Sequence, residues 1–177
     1  MSAEAWIARL AMRPHPEGGY YAETYRAPHL VRPVQGGHEA MLASGQGEKS
    51  RAASSAIYFL LIGSQISALH RIRSDELWHF YSGSALTVSA IDPEGELTHY
   101  QLGTDFEAGE RFQHCVPAGC WFGARLRQPA PDAYALVGCT VAPAFDFADF
   151  ELAERHALLG LYPQHAALIG SLTPESR

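Results

Sequence analysis

The chain has 177 residues, 47% hydrophobic and 18% charged, enough to bury one core of ordinary size, so a single domain over residues 1–177 is expected. Its 13 basic and 19 acidic side chains leave a net charge of −6 with no long run of Lys or Arg, which excludes nucleic acid as a partner. The apolar stretches are too short to span a bilayer, and Glu4 and Arg9 interrupt the region where a secretory leader would be unbroken, so a cytoplasmic protein with no membrane partner is expected.

Ser2 caps a short helix with Trp6, Ile7 and Leu10 on its apolar side, and Pro14 and Pro16 end it. Gly18-Gly19 marks a turn, after which Tyr20 to Arg26 is an aromatic, β-branched strand. From Ala27 to Ala53 repeated Pro and Gly break any periodicity, and the stretch is expected to be a loop longer than an ordinary connection. Strands then follow quickly, about Ala56 to Ile62, Gln65 to Arg71, Glu76 to Tyr81, Ala85 to Ile91 and Glu96 to Leu102, with Gly, Ser, Asp and Pro at the turns. Three more are expected near Arg111 to Val116, Cys120 to Leu126 and Tyr134 to Val141. Short strands at this rate predict an all-β sandwich or barrel. Beyond Pro143, Leu152, His156, Leu158 and Leu159, then Ala166, Leu168 and Ile169, predict two short closing helices. Cys115, Cys120 and Cys139 are odd in number and form no C-x-x-C pair, so they are expected as reduced, packed thiols.

Strand alternation carries the candidate chemistry. His70 and Ile72 share one face of their strand, and Glu76, Trp78 and Phe80 share one face of the next. If Ile72 and Phe80 face the core, His70 and Glu76 point inward with them, and each needs a partner there. His79 alternates to the opposite face from Glu76, and His114 precedes the Pro117 turn, so neither is expected to join them.

The spacing of His70, Ile72, Glu76 and Gly83 resembles the first cupin motif, with Ile72 where a second His belongs. Pro117-Ala118-Gly119-Cys120-Trp121-Phe122 resembles the second, with Phe122 in place of its His. More narrowly, His15 to Tyr20, Ile57 to Leu61, His70 to Tyr81 and Val141 to Phe147 resemble the Cupin-5 family, domain of unknown function 985, over nearly the whole chain. That resemblance implies a double-stranded β-helix, the cupin jelly-roll barrel, with short N- and C-terminal helices, and a homodimer. It also implies likeness in fold to the dTDP-4-dehydrorhamnose 3,5-epimerases, which use a barrel His as base and a Tyr as acid. On that pattern His70 would be the base, Glu76 its positioning group, and Tyr58 or Tyr134 the acid, with Tyr20 a further candidate. Asp146 or Asp149 could orient the imidazole. Because the motif positions keep only two of four metal ligands, no cofactor is expected, and a weak divalent site at His70 and Glu76 is the alternative.

The expected ligand contacts are Tyr20, Trp78, Phe80 and Phe122 as flat apolar faces, with Arg26, Arg51 or Arg71 meeting an anionic group at the mouth. Glu17, Gln113 and Asp146 complete the set. Such a pocket suits a nucleotide, a sugar nucleotide or an aromatic acid. Two functions follow from different classes: a metal-independent isomerase or epimerase, and a non-enzymatic small-molecule binding protein. A metal-dependent oxygenase ranks below both.

Overall fold

The barrel is two antiparallel sheets laid face to face, seen in a computed structural model that describes residues 1–32 and 50–174. Helix α1 (Ala3–Arg9) opens the chain, capped by the Ser2 hydroxyl, which accepts from the Ala5 N–H. Strands β1 (Arg13–Pro14) and β2 (Tyr20–Arg26) follow, then a two-residue ladder of β3 (Leu30–Val31) with β4 (Arg51–Ala52). The consecutive strands β5 (Ser55–Ile62), β6 (Ile66–Arg71), β7 (Asp75–Gly83), β8 (Leu86–Ile91) and β9 (Leu97–Leu102) form the first half of the barrel. The chain returns through β10 (Gln113–Val116), β11 (Trp121–Leu126), β12 (Tyr134–Ala142) and β13 (Glu151–Leu152) to helices α2 (Arg155–Leu161) and α3 (Ala166–Leu172).

One sheet orders its strands β1-β2-β5-β12-β7-β10 and the other β13-β6-β11-β8-β9. This is the expected all-β jelly roll with short terminal helices, and alternation explains its three apolar layers. Phe59, Leu61, Trp78, Val137 and Phe122 meet between the sheets. The intervening positions Leu60 and Leu136 point outward from the six-stranded sheet and are covered by Trp6, Ile7 and Leu10 of the N-terminal segment. Leu69, Ile91 and Trp121 point outward from the five-stranded sheet and are covered by Leu158, Ile169 and Leu172. The terminal helices therefore close the two outer faces and leave the ends of the barrel to its turns.

Three expectations about elements are corrected. Pro14, expected only to end the helix with Pro16, also forms a short strand with Arg13 on β2; it lies at the edge of the sheet, where a Pro that cannot donate is tolerated. The expected loop from Ala27 to Ala53 contains the β3–β4 ladder at its ends, and its residues 33–49 lie outside the described residues. Leu152 sits on β13 rather than in a helix, paired with His70 in register. Among the described residues no helix is long and apolar enough to cross a membrane.

Candidate functional site

A cavity of about 360 Å³ opens at one end of the barrel, and the titratable side chains that line it include His15, Glu17, His70 and Glu76. Two of them come from the turn before β2. The Gly18 N–H donates to the His15 carbonyl at 3.0 Å, and the Ala68 N–H donates to the Glu17 carbonyl at 2.8 Å, so the turn is tied to β6. Its two glycines are required by space and by backbone. Both have positive φ, and a Cβ would lie 2.2 Å from the Ile66 carbonyl oxygen at Gly18 and 2.6 Å from that of Leu60 at Gly19. This close approach to β6 and β5 lowers Glu17 into the barrel, where the Ser67 hydroxyl donates to its Oε1 at 2.7 Å.

His70 is 2% exposed, with Nδ1 2.8 Å from the Ala68 carbonyl oxygen. A carbonyl can only accept, so Nδ1 carries the proton and Nε2 is left to face Glu17 Oε2 at 3.3 Å. Two lone pairs cannot face each other in a buried site, so a proton lies between them. Burial pushes Glu17 up, against the opposing effects of His15 and Ser67, and pushes His70 down, against Glu76 and the Ala68 carbonyl. Burial thus disfavours the charged form of each partner, the Glu17 carboxylate and the His70 imidazolium. The same Glu17 oxygen lies 3.4 Å from His15 Nδ1, so one carboxyl bridges two imidazoles. Burial also lowers the His15 pKa, with Glu17 opposing.

Glu76 stands apart from that chain. Burial, the largest cause, raises its carboxyl from 4.5 to about 7; His70 opposes the rise, Glu17 adds to it, and a hydrogen bond with Cys139 opposes it. The Cys139 thiol, pushed well above its usual range by burial, remains protonated and donates.

The wall is aromatic and apolar. Tyr21 meets the His15 ring edge-on at 4.7 Å, Phe147 stacks on it at 6.2 Å, and Phe59, Phe145 and Ile57 complete the lining. The Arg26 guanidinium binds Glu23 (Nη2 to Oε2, 2.6 Å) and donates to the Phe145 carbonyl at 3.2 Å, which fixes the Phe145 backbone at the wall. Arg51 holds the same segment by an ion pair with Asp149. Asp146 lines the cavity and accepts from the Ala148 N–H at 2.9 Å, starting a 3-10 turn over Phe147–Asp149.

The cavity thus gathers Glu17, Arg26, His70, Glu76 and Asp146 of the expected set. The other expected positions lie elsewhere. Tyr58, Tyr134 and Tyr20 belong to the outer layer under α1, because β2, β5 and β12 turn those positions away from the interior. Tyr21, the neighbour of Tyr20, is the phenol in the cavity. Trp78 is 1% exposed and packs edge-on against Phe59 at 5.9 Å and Phe122 at 6.5 Å, so it is core, as is Phe80. Phe122 backs the His70 ring at 4.1 Å. Gln113 is exposed and bonds His79 Nδ1 at 2.8 Å, while His79 Nε2 meets Thr140 at 3.1 Å. Arg71 pairs with Glu151 and lies over Trp121, and Arg51 is spent on Asp149. Asp149, paired with Arg51, does not orient His70; Glu17 occupies that place. The sequence reading missed His15 as a site residue; its signal was the spacing His15-Pro16-Glu17 before two glycines.

A cupin metal does not fit these residues. Ile72 is 3% exposed in the core and Phe122 packs on His70, so hydrocarbon fills two of the four ligand positions. His114, considered as a replacement, packs its ring 5.0 Å from Tyr100 and is not part of the cavity lining. Among the described residues no group of three or more His, Cys, Asp or Glu side chains is placed to hold a metal ion.

Comparison with known proteins agrees with this architecture. The family described as Cupin superfamily (DUF985) matches residues 4–153. An uncharacterized protein of Saccharomyces cerevisiae is 33% identical over 142 residues, 76% of this chain and 67% of the yeast protein. The crystal structure of a Shewanella oneidensis protein is similar at 41% identity and a TM-score of 0.85, over 99% of each chain. A hypothetical protein from Leishmania major is similar at 37% identity and a TM-score of 0.86, over 99% of this chain and 100% of that one. Oxalate decarboxylase from Bacillus subtilis, at 14% identity and a TM-score of 0.52 over 93% of this chain and 37% of that one, shares the fold alone.

Proposed function

The chain belongs to the DUF985 family of the cupin superfamily, and on that premise we propose that it is a metal-independent proton-transfer catalyst of the isomerase or epimerase type, acting on a small carbonyl compound held in the barrel. The observation that carries this reading is a buried carboxyl, Glu76, poised at about 7 in the wall of a ligand-sized cavity beside a second acid–base pair. A one-carbon proton shift needs one group that takes a proton and another that gives one. Glu76, about half ionised at neutral pH, takes the proton from the carbon next to the carbonyl. The electron pair of that C–H bond becomes a carbon–carbon double bond, and the π pair of the carbonyl moves to its oxygen, which receives a proton from the Glu17–His70 pair. Reversal returns a proton from Glu76 to the carbon and the oxygen's proton to the Glu17–His70 pair, and a Glu76 carboxyl that has traded its proton with heavy water leaves deuterium on the carbon.

This assignment exchanges the expected roles of His70 and Glu76. Both ring nitrogens of His70 are engaged, Nδ1 by Ala68 and Nε2 by Glu17, so the imidazole holds a proton in place. Phe122 and Phe150 flank its ring and exclude water from it.

The experiment is solvent deuterium exchange. The protein is incubated in heavy water with a panel of carbonyl compounds that includes a nucleotide-linked keto sugar, and exchange next to the carbonyl is followed by proton NMR. At least one compound is expected to exchange above the buffer blank, with the rate lost in Glu76→Gln and reduced in His70→Asn. Saturable binding without exchange across the panel would refute the reading and favour a non-enzymatic binding protein, to which the full engagement of His70 is also suited.

A further inference from the structure

The cavity's size and the arrangement of its walls narrow the ligand further. The volume of about 360 Å³ lies near the small end of the roughly 300–1,000 Å³ range of small-molecule pockets, which suits a ligand smaller than a whole nucleotide-linked sugar. Tyr21, Phe59, Phe145 and Phe147 offer flat apolar surface for a ring.

Among the described residues, the mouth supplies one cation free to meet a ligand. Arg26 is spent on Glu23 and on the Phe145 carbonyl, with Asp146 near it. Arg13, on the edge strand β1, is exposed and lines the cavity; its guanidinium lies over the Tyr21 ring, 4.8 Å from the centroid, and pairs with no carboxylate among the described residues. From there, contacts run inward in order. The Tyr21 ring touches His15 at 4.7 Å, His15 Nδ1 lies 3.4 Å from Glu17 Oε2, and Glu17 lies 3.3 Å from His70. The mouth cation and the deep proton-transfer groups are thus separated along one aromatic wall.

From this arrangement we infer that the ligand is a small aromatic or similarly planar oxo acid, its carboxylate held by Arg13, its ring against Tyr21 and Phe147, and its carbonyl inward near Glu17 and Glu76. The ring and the carboxylate are argued from the cavity alone; the carbonyl rests on the proton-transfer reading. Two carboxyls in the floor also tie anion binding to protonation. As pH rises through 7, Glu76 ionises, with Glu17, His15, His70 and the Cys139 thiol facing the same space, and a carboxylate ligand is increasingly repelled. Glu23 and Asp146 at the mouth are occupied by Arg26 and by the Ala148 N–H and do not change this sign.

4-Acetylbenzoate and acetophenone, the same ring and ketone with and without a carboxylate at the opposite end of the ring, test the inference. Dissociation constants come from calorimetry at pH 6 and pH 8, and exchange of the acetyl protons comes from NMR. 4-Acetylbenzoate is expected to bind at least about tenfold more tightly than acetophenone at pH 6, more weakly at pH 8, and about tenfold more weakly in Arg13→Ala, with partial recovery in Arg13→Lys. Equal affinity for the two compounds, or unchanged 4-acetylbenzoate affinity in Arg13→Ala, would overturn the oxo-acid assignment even if both compounds exchange. Tight, Arg13-dependent binding of 4-acetylbenzoate without exchange would uphold the acid site and overturn the proton-transfer reading.

Discussion

The two ends of the barrel are built from the same strands and do opposite things. At one end Leu86, Val88, Leu102 and Leu126 are each no more than 1% exposed and fill the space between the sheets with hydrocarbon. At the other, four residues back along β11 and about 13 Å away, Phe122 packs on His70, which with His15, Glu17 and Glu76 lines a hollow. Burying Glu17, His70 and Glu76 costs stability, which the solid end and its two helix-covered outer faces must supply. The fold separates the part that holds it together from the part that is free to react.

Substitutions at each end probe this division. The largest effect is expected at the hollow end: Glu76→Gln should lower solvent deuterium exchange by about 10²- to 10⁴-fold while the protein stays folded by circular dichroism. Retained exchange would remove Glu76 from the proposed chemistry. At the solid end, Leu126→Ala should cost about 2–5 kcal/mol in urea unfolding, with exchange per folded molecule unchanged. A loss of exchange there without a loss of stability would mean the ends are not independent.

The pH dependence of stability gives a third, smaller effect. Raised from 4.5 to about 7 on folding, Glu76 contributes stability that is fully present below pH 4.5 and lost as pH rises through 7. His70, lowered on folding, has the opposite sign: its contribution is present above its ordinary 6.5 and lost as pH falls. Glu76→Gln removes only the first, so it should stabilise the protein more at pH 8 than at pH 5, by roughly 3 kcal/mol at most. An equal effect at both pH values would mean that Glu76 titrates normally. The smallest effect is expected at Tyr58, which packs in the outer layer: Tyr58→Phe should leave exchange unchanged and shift stability by about 0.5 kcal/mol or less. A large loss of exchange would put that phenol back among the reacting groups.

Alternation made the fold legible in the sequence. Apolar residues two apart between Gly and Pro turns located most of the long strands to within a residue or two, and the inward face of His70 and Glu76 followed from Ile72 and Phe80. What the sequence left open is which inward positions meet solid core and which meet the hollow. Trp78 and Glu76 share a face, yet Trp78 is sealed between Phe59 and Phe122 while Glu76 lines the cavity. Phase was the other limit: Tyr20 and Tyr21 are adjacent, and only the pairing of Tyr20 with Leu60 and Tyr21 with Phe59 decides which is inside. His15 was hidden for a third reason. It lies outside any long strand, and its place depends on a turn whose glycines touch two different strands.

The central claim, that a buried carboxyl in this cavity titrates near neutrality, is tested most directly by carbon-13 NMR of protein labelled at the glutamate side-chain carboxyls, with the Glu76 resonance assigned by its absence in Glu76→Gln. A titration midpoint near 7 is predicted. A midpoint close to that of an ordinary exposed glutamate would contradict the account, because Glu76 would then have no reason to exchange protons with a ligand at neutral pH.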